Sequence, residues 1–182
     1  MIIVSETERD RNMMNLIDEK YLEPEDRDTR YDHSPFKHLK AMAAKQKGKY
    51  YELISKDVLE KLGFSIEKPS STDHDSIVNG LKTEIKGSTL NKGRDIFSFL
   101  QIRPNQEYDQ ILFSMFYPDD FVMMTMTKEK VMENIENGIF KSQHGGKKGD
   151  GLTYLYYGNV ETLAEIGAEI VQETYFTNEE AS

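Results

Sequence analysis

The stretch from Asp75 to Ser88, DSIVNGLKTEIKGS, constrains the fold more than any other part of this chain. Two short runs of strand-forming residues flank Asn79-Gly80, a dipeptide that favours the two-residue turn of a β-hairpin. A two-residue turn fixes the pairing register, because positions equally distant from the turn face each other. The sequence therefore predicts a hairpin in which Asp75 lies across from Glu84.

A long helix is predicted before this hairpin. Apolar residues recur at helical spacing between Lys49 and Gly63, and Gly63 stands where a helix C-cap is expected. Residues 1–35 are polar, with one apolar cluster at 13–17, and we expect a short helix or arm there.

Strand patterns dominate the segments around and after the hairpin. Short strands are predicted over 64–68, 96–102, 110–117 and 121–126. The last of them, FVMMTM, is expected to pack in the core rather than to form a methionine-rich binding surface.

Two helices are predicted after the strands, over 128–137 and 160–166, with Thr127 and Asn159 as their N-caps. The whole pattern predicts one α/β domain over 1–182, with helices flanking a central mixed sheet of about five strands. Its C-terminal part, 127–182, holds these helices and a basic glycine-rich loop.

Composition limits the chemistry and the compartment. The chain has no cysteine and only four scattered histidines, so a bound metal would be held by oxygen ligands. The N-terminus lacks the basic flank and apolar stretch of a signal peptide, and charged residues make up 30% of the chain, so we expect a cytoplasmic protein rather than a membrane protein.

The net charge of −9 is distributed unevenly. Residues 1–30 and 156–182 together carry −10, which leaves +1 on 31–155. The stretch 82–103 has five basic residues against two acidic ones. The middle of the chain can therefore face a polyanion such as DNA, whose affinity for proteins depends on phosphate neutralisation.

The predicted hairpin brings together three residues that can carry chemistry. Strand alternation sends Glu84 and Lys86 to the same face. Two directly opposed carboxylates destabilise a sheet unless something compensates them, and Mg²⁺ favours one or two such ligands. Asp75 and Glu84 are therefore candidate magnesium ligands, and Lys86 is placed to orient a water and offset phosphate charge.

The Asp on one strand and the Glu-x-Lys on the next resemble the signature of the PD-(D/E)XK nuclease superfamily. The resemblance covers 48–117: a helix with an early Glu52 in GKYYELISKDVLEKLGF, the hairpin, and the strands FSFLQIRP and YDQILFSMF. It implies a restriction-endonuclease-like core and a metal-shell role for Glu52. Because Asp75 follows His74 where the family motif has proline, Asp73 stays open as an alternative to Asp75.

Within that superfamily the chain looks most similar to a type II restriction endonuclease. The resemblance implies Mg²⁺-dependent hydrolysis of double-stranded DNA at a specific sequence, by a homodimer. A nickase, resolvase or exonuclease of the same fold, or a DNA-binding protein without catalytic activity, remains an alternative.

Further residues were selected for contacts with the site or with DNA. Gln101 is expected to share a strand face with Phe99 and Arg103 and to reach the site or a phosphate. The loop 141–151, KSQHGGKKGDG, is a basic glycine-rich segment that can enter a groove, with an ordinary solvated loop as the alternative. The candidate DNA contacts are Lys82, Lys92, Arg94, Arg103, Lys141, His144, Lys147 and Lys148.

Overall fold

The computed structural model describes residues 27–143 and 152–175. A 3₁₀ turn over Thr29–Tyr31 comes first, and the helices are α1 (Lys37–Ala41), α2 (Ala44–Lys61), α3 (Lys128–Glu136) and α4 (Val160–Glu165). The strands are β1 (Ile66–Glu67), β2 (Ser76–Val78), β3 (Leu81–Thr89), β4 (Phe97–Ile102), β5 (Gln110–Phe116), β6 (Asp120–Thr127), β7 (Lys141–Ser142), β8 (Tyr154–Gly158) and β9 (Glu169–Tyr175).

The strands form two sheets. The larger has six strands in the order β1-β2-β3-β5-β6-β9, and it is mixed because β3 and β5 run parallel while every other neighbouring pair is antiparallel. The smaller has the order β4-β8-β7. The mixed α/β architecture with a central mixed sheet was predicted. The central sheet has six strands where about five were expected, and the strand predicted over 96–102 lies in the smaller sheet.

The predicted hairpin is present with the predicted register. Asn79 has φ 47° and Gly80 has φ 83°, the left-handed conformations that a type I′ turn requires and that asparagine and glycine tolerate best. Ser76 pairs with Thr83, Ile77 with Lys82 and Val78 with Leu81. The turn chemistry predicts this register correctly, and Asn79 is held further by two hydrogen bonds with the Ser65 backbone.

Helix α2 begins earlier than the pattern predicted, at Ala44. Its buried residues lie four, seven and eight positions after the first, the repeat of a helix that buries a single face: Tyr51, Ser55, Val58 and Leu59. The helix ends as predicted, with Gly63 at φ 89° directly after the C-cap.

Strand β5 is the centre of the core, and its two faces are covered differently. On one face the Ser114 hydroxyl lies 2.7 Å from that of Ser55, and Phe116 stacks on Tyr51, so α2 packs there. On the other face Phe113 makes an edge contact with Phe99 of β4, with ring centroids 4.8 Å apart. The sheet is thus held between α2 and the smaller sheet.

The later predictions agree closely with the structure. The Thr127 and Asn159 side chains accept hydrogen bonds from the first turns of α3 and α4. Met123, Met124 and Met126 are buried, which confirms the core assignment of this strand.

The N-terminal boundary and one hairpin residue differ from expectation. Residues 1–26 lie outside the described part, but Tyr31 and Phe36 belong to the core, so the polar arm does not extend through residue 35. The Tyr31 hydroxyl donates to Phe116 O at 2.5 Å and accepts from Leu90 N at 2.9 Å, which joins this segment to the sheet. Leu81, expected on a mainly apolar core face, is 47% exposed at the hairpin end.

Across 27–143 and 152–175, no helix combines the length and the apolar character needed to cross a membrane.

Candidate active site

Asp75 directly precedes β2, at the point where the pairing between β2 and β3 ends. Its backbone N–H donates to Thr83 O at 3.0 Å, which extends the β2–β3 pairing by one bond. Its carboxylate Oδ2 then accepts the Ile85 N–H at 2.7 Å, in the place where a strand carbonyl would otherwise stand. The side chain therefore closes the hairpin and holds its carboxylate beside the second half of β3.

Glu84, which is buried, and Lys86, which is half-buried, form an ion pair on β3. Lys86 Nζ lies 2.7 Å from Glu84 Oε1, and the two side chains are 16% and 11% exposed. An ordinary solvated strand face is therefore excluded for this pair. Taking both charges out of water costs free energy that the pair alone recovers poorly, which is typical of residues retained for function.

The electrostatic environment of Asp75 is unfavourable to its negative charge. Burial raises the pKa of the Asp75 carboxyl, and the negative charge of Glu84 raises it further. The Ile85 N–H, Lys86 and Lys56 act in the opposite direction without cancelling these effects. The two carboxylates are thus close enough to repel each other, and an additional cation would relieve this repulsion.

Lys56 connects Asp75 to helix α2. Its ammonium donates to Glu52 Oε1 and to the Asp75 carbonyl, both at 2.5 Å. Glu52 is therefore brought to the Asp75 side of the site, with Lys56 between the two residues. The spacing of four residues between Glu52 and Lys56 predicts an ion pair within the helix. The contact of Lys56 with Asp75, however, depends on tertiary packing.

His74 fixes the loop that leads into Asp75, a role that the sequence analysis missed. The imidazole is 3% exposed, and its Nε2 accepts the Ser70 N–H at 3.2 Å while Nδ1 lies 3.2 Å from the Glu107 carbonyl. These two contacts hold the ring in place between the Ser70 backbone and the Glu107 carbonyl. Asp73 lies in the same loop, where its N–H donates to the Ser71 hydroxyl.

The donor set fits a divalent cation held by two carboxylates. Three converging His, Cys, Asp or Glu side chains are not found among the described residues, so water and substrate oxygens would complete the shell, as is usual for Mg²⁺. The Tyr108 hydroxyl is buried and finds no hydrogen-bond partner within the described part of the chain. Burial raises the pKa of Tyr108, and the negative charge of Glu84 raises it further, so the hydroxyl keeps its proton.

Gln101 is placed differently from the simple strand alternation that was predicted. A bulge falls between Phe99 and Ile102, Gln101 has φ 55°, and its N–H donates to Gln143 Oε1 at 2.8 Å. Phe99 is therefore buried while Gln101 and Arg103 are exposed. Gln101 nevertheless lines a groove that also contains Lys86.

Helix α2 packs very closely against β3 at Gly87, the position next to Lys86. A Cβ added at Gly87 would lie 2.3 Å from Tyr51 Cβ and Cγ, far inside van der Waals contact. Only glycine therefore lets the helix pack at the position next to Lys86.

The predicted DNA contacts fall into separate groups. Lys82 is paired with Glu107 in an exposed ion pair. Arg94, Arg103 and Lys141 are exposed, and Lys92 lines the same groove as Lys86. His144, Lys147 and Lys148 lie outside the described residues.

The chain matches no protein-family model and no curated protein. Among solved structures it is similar to a bacterial homing endonuclease, I-Ssp6803I, with a TM-score of 0.38 and 16% sequence identity, over 48% of this chain and 67% of that one. A similarity this limited assigns the chain to no family.

Proposed function

We propose that this protein is a Mg²⁺-dependent DNA endonuclease in which Asp75 and Glu84 hold the metal and Lys86 completes the catalytic set. The observation that carries the proposal is the cluster itself, in which Glu84 is buried and Asp75 and Lys86 are half-buried. It consists of a carboxylate whose pKa is raised by burial and by Glu84, and an ammonium 2.7 Å from that second carboxylate. A merely structural ion pair would not need the second carboxylate.

Each residue has a distinct part in phosphodiester hydrolysis. Bound Mg²⁺ would supply an acidified water and neutralise charge on the phosphate. Asp75 is fixed by the Ile85 N–H, which occupies Oδ2, and would hold the cation with its other carboxylate oxygen. Lys86 donates hydrogen bonds to the attacking water or to a phosphate oxygen as negative charge develops there.

Glu52 and Gln101 have supporting parts in this proposal. Glu52 would help to hold the metal, and Lys56 keeps it beside Asp75. Gln101 lies along the same groove as Lys86, where its amide can contact the substrate backbone.

Among DNA endonucleases, we infer that this protein is a type II restriction endonuclease that cuts double-stranded DNA at a specific sequence and acts as a homodimer. This inference rests on the sequence resemblance of residues 48–117. A nickase, resolvase or exonuclease would use the same three residues, and a DNA-binding protein without catalytic activity would keep the fold alone.

Incubation of the purified protein with plasmid and unmethylated phage DNA, in Mg²⁺ or in EDTA, tests the function. Discrete fragments that require Mg²⁺ are the expected result and identify a sequence-specific endonuclease. A metal-dependent smear would overturn the restriction assignment and favour a processing nuclease. DNA binding without cleavage of either substrate would contradict the nuclease proposal.

A further inference from the structure

A groove of about 820 Å³ leads away from Lys86. Its walls are the end of α1, the first two turns of α2, the second half of β3, and β4. Strand β2 pairs with β3 only as far as Thr83, so the groove follows the edge of β3 beyond that pairing. We call it the lysine groove, after the lysines that line it: Lys40, Lys45, Lys47, Lys86 and Lys92.

The charge of the lysine groove has one sign, because none of its lining residues is acidic. Helix α2 contributes to this excess, since its sequence begins AKQKGKYY and its first acidic residue is Glu52. Lysines in the first turn of a helix oppose the helix dipole and lower helix stability. This arrangement is unfavourable for the free protein and favourable for a bound anion.

Lys47 is the clearest case of this unfavourable arrangement. Its side chain is partly buried, and burial, followed by the positive charge of Lys40, lowers its pKa. No carboxylate within the described part of the chain forms an ion pair with it, whereas Lys40 donates to the Leu90 carbonyl and lies 3.5 Å from Asp28 Oδ2. A partly desolvated ammonium beside a second ammonium is stabilised by an anion from outside the protein.

The backbone adds donors to the same groove. Strand alternation sends the Gly87 N–H to the free edge of β3, the same edge on which the Ile85 N–H already donates to Asp75. The N-cap of α2, Ala43, provides no side-chain hydrogen bond, and the Gln46 and Lys47 N–H groups donate to its carbonyl, so the start of the helix has no side-chain acceptor of its own.

We propose that the lysine groove binds the sugar–phosphate backbone of the DNA strand that is cut, next to the scissile phosphate, with Lys45 and Lys47 contacting its phosphates. The inference rests on the proposed function, because it takes Lys86 as the position of the scissile phosphate. It assigns to DNA binding two lysines that the sequence analysis passed over.

Fluorescence anisotropy with a labelled DNA duplex in EDTA tests the proposal without cleavage. The Lys45→Ala/Lys47→Ala double variant is expected to bind at least about tenfold more weakly than the wild type. The slope of log K against log salt should fall by about 2, since each lost phosphate contact contributes about 0.9. The Lys45→Arg/Lys47→Arg variant keeps both charges and should restore most of the slope.

Lys61→Ala is the matched control, because Lys61 lies at the far end of α2, is exposed and pairs with Asp57. It should leave affinity and slope unchanged, and circular dichroism should show that all the variants are folded. If the double variant binds as tightly as the wild type with the same slope, the groove assignment is wrong while the nuclease proposal stands. If the wild type binds no DNA, the groove assignment also fails, and the cleavage assay then decides the function separately.

Discussion

Glu84→Gln is expected to lower the rate of Mg²⁺-dependent DNA cleavage by about 10³-fold or more, because it removes a ligand from a metal that contributes several kcal/mol to the transition state. Glutamine keeps the size of the side chain, so the fold around Lys86 should survive. DNA affinity in EDTA should be equal to that of the wild type or higher, since a negative charge near the phosphates is lost. Single-turnover cleavage and anisotropy on the same duplex measure the two effects separately.

Glu60→Gln is the matched control, because Glu60 is an exposed carboxylate on α2. It should cleave at the wild-type rate. Cleavage by Glu84→Gln within a few-fold of the wild type would remove Glu84 from the mechanism. Loss of both cleavage and folding would call for Glu84→Asp, which keeps the charge on a shorter side chain and should retain part of the activity.

Asp75→Asn is expected to raise the Tm measured without divalent cation and to abolish the stabilisation by Mg²⁺. The neutral amide can still accept the Ile85 N–H through its oxygen, but it no longer repels Glu84. For the wild type, Mg²⁺ at about 100 times its Kd adds about 2.7 kcal/mol. That is a rise in Tm of about 5 to 10 °C for a chain of this size.

The pH dependence of this effect follows from the raised pKa of Asp75. A carboxyl with a raised pKa keeps its proton longer in the folded state than in the unfolded state, so the folded state binds more protons between the two pKa values. Wild-type stability without metal should therefore fall, relative to Asp75→Asn, as pH rises from about 3.9 through the raised pKa, and the difference should then level off.

Asp73→Asn separates the two aspartates that the sequence left open. If Asp75 is the metal ligand, Asp73→Asn should keep the Mg²⁺-dependent rise in Tm and the cleavage activity. The reverse result, with Mg²⁺ stabilising Asp75→Asn but not Asp73→Asn, would move the metal site to Asp73. Differential scanning calorimetry of both variants with and without Mg²⁺ distinguishes these outcomes.

The parts of the fold that were predictable are those controlled by neighbours in sequence. Asn79 and Gly80 determine the hairpin register through their left-handed conformations, and that register brings Asp75 to Glu84. The N-caps Thr127 and Asn159 act within one helical turn. Local chemistry of this kind needs no knowledge of the tertiary structure.

The parts that were missed depend on contacts between distant segments. The pattern of 96–102 predicts a strand but does not predict which sheet it joins. Its partner is β8, which lies about 55 residues later in the chain. The role of Lys56 arises from its contact with the Asp75 carbonyl. The lysines at the start of α2 carry no sequence signal of their own, because the groove that they line is formed with β3 and β4.

Single-turnover cleavage by Lys86→Ala in Mg²⁺, beside the wild type on the same plasmid, tests the central claim most directly. Lys130→Ala is the control, since Lys130 is a surface lysine paired with Glu133. The account predicts wild-type and Lys130→Ala cleavage that EDTA abolishes, with Lys86→Ala slower by about 10²- to 10³-fold, the usual loss for a donor that stabilises developing charge. Cleavage by Lys86→Ala at the wild-type rate would contradict the assignment of Asp75, Glu84 and Lys86 as one catalytic site.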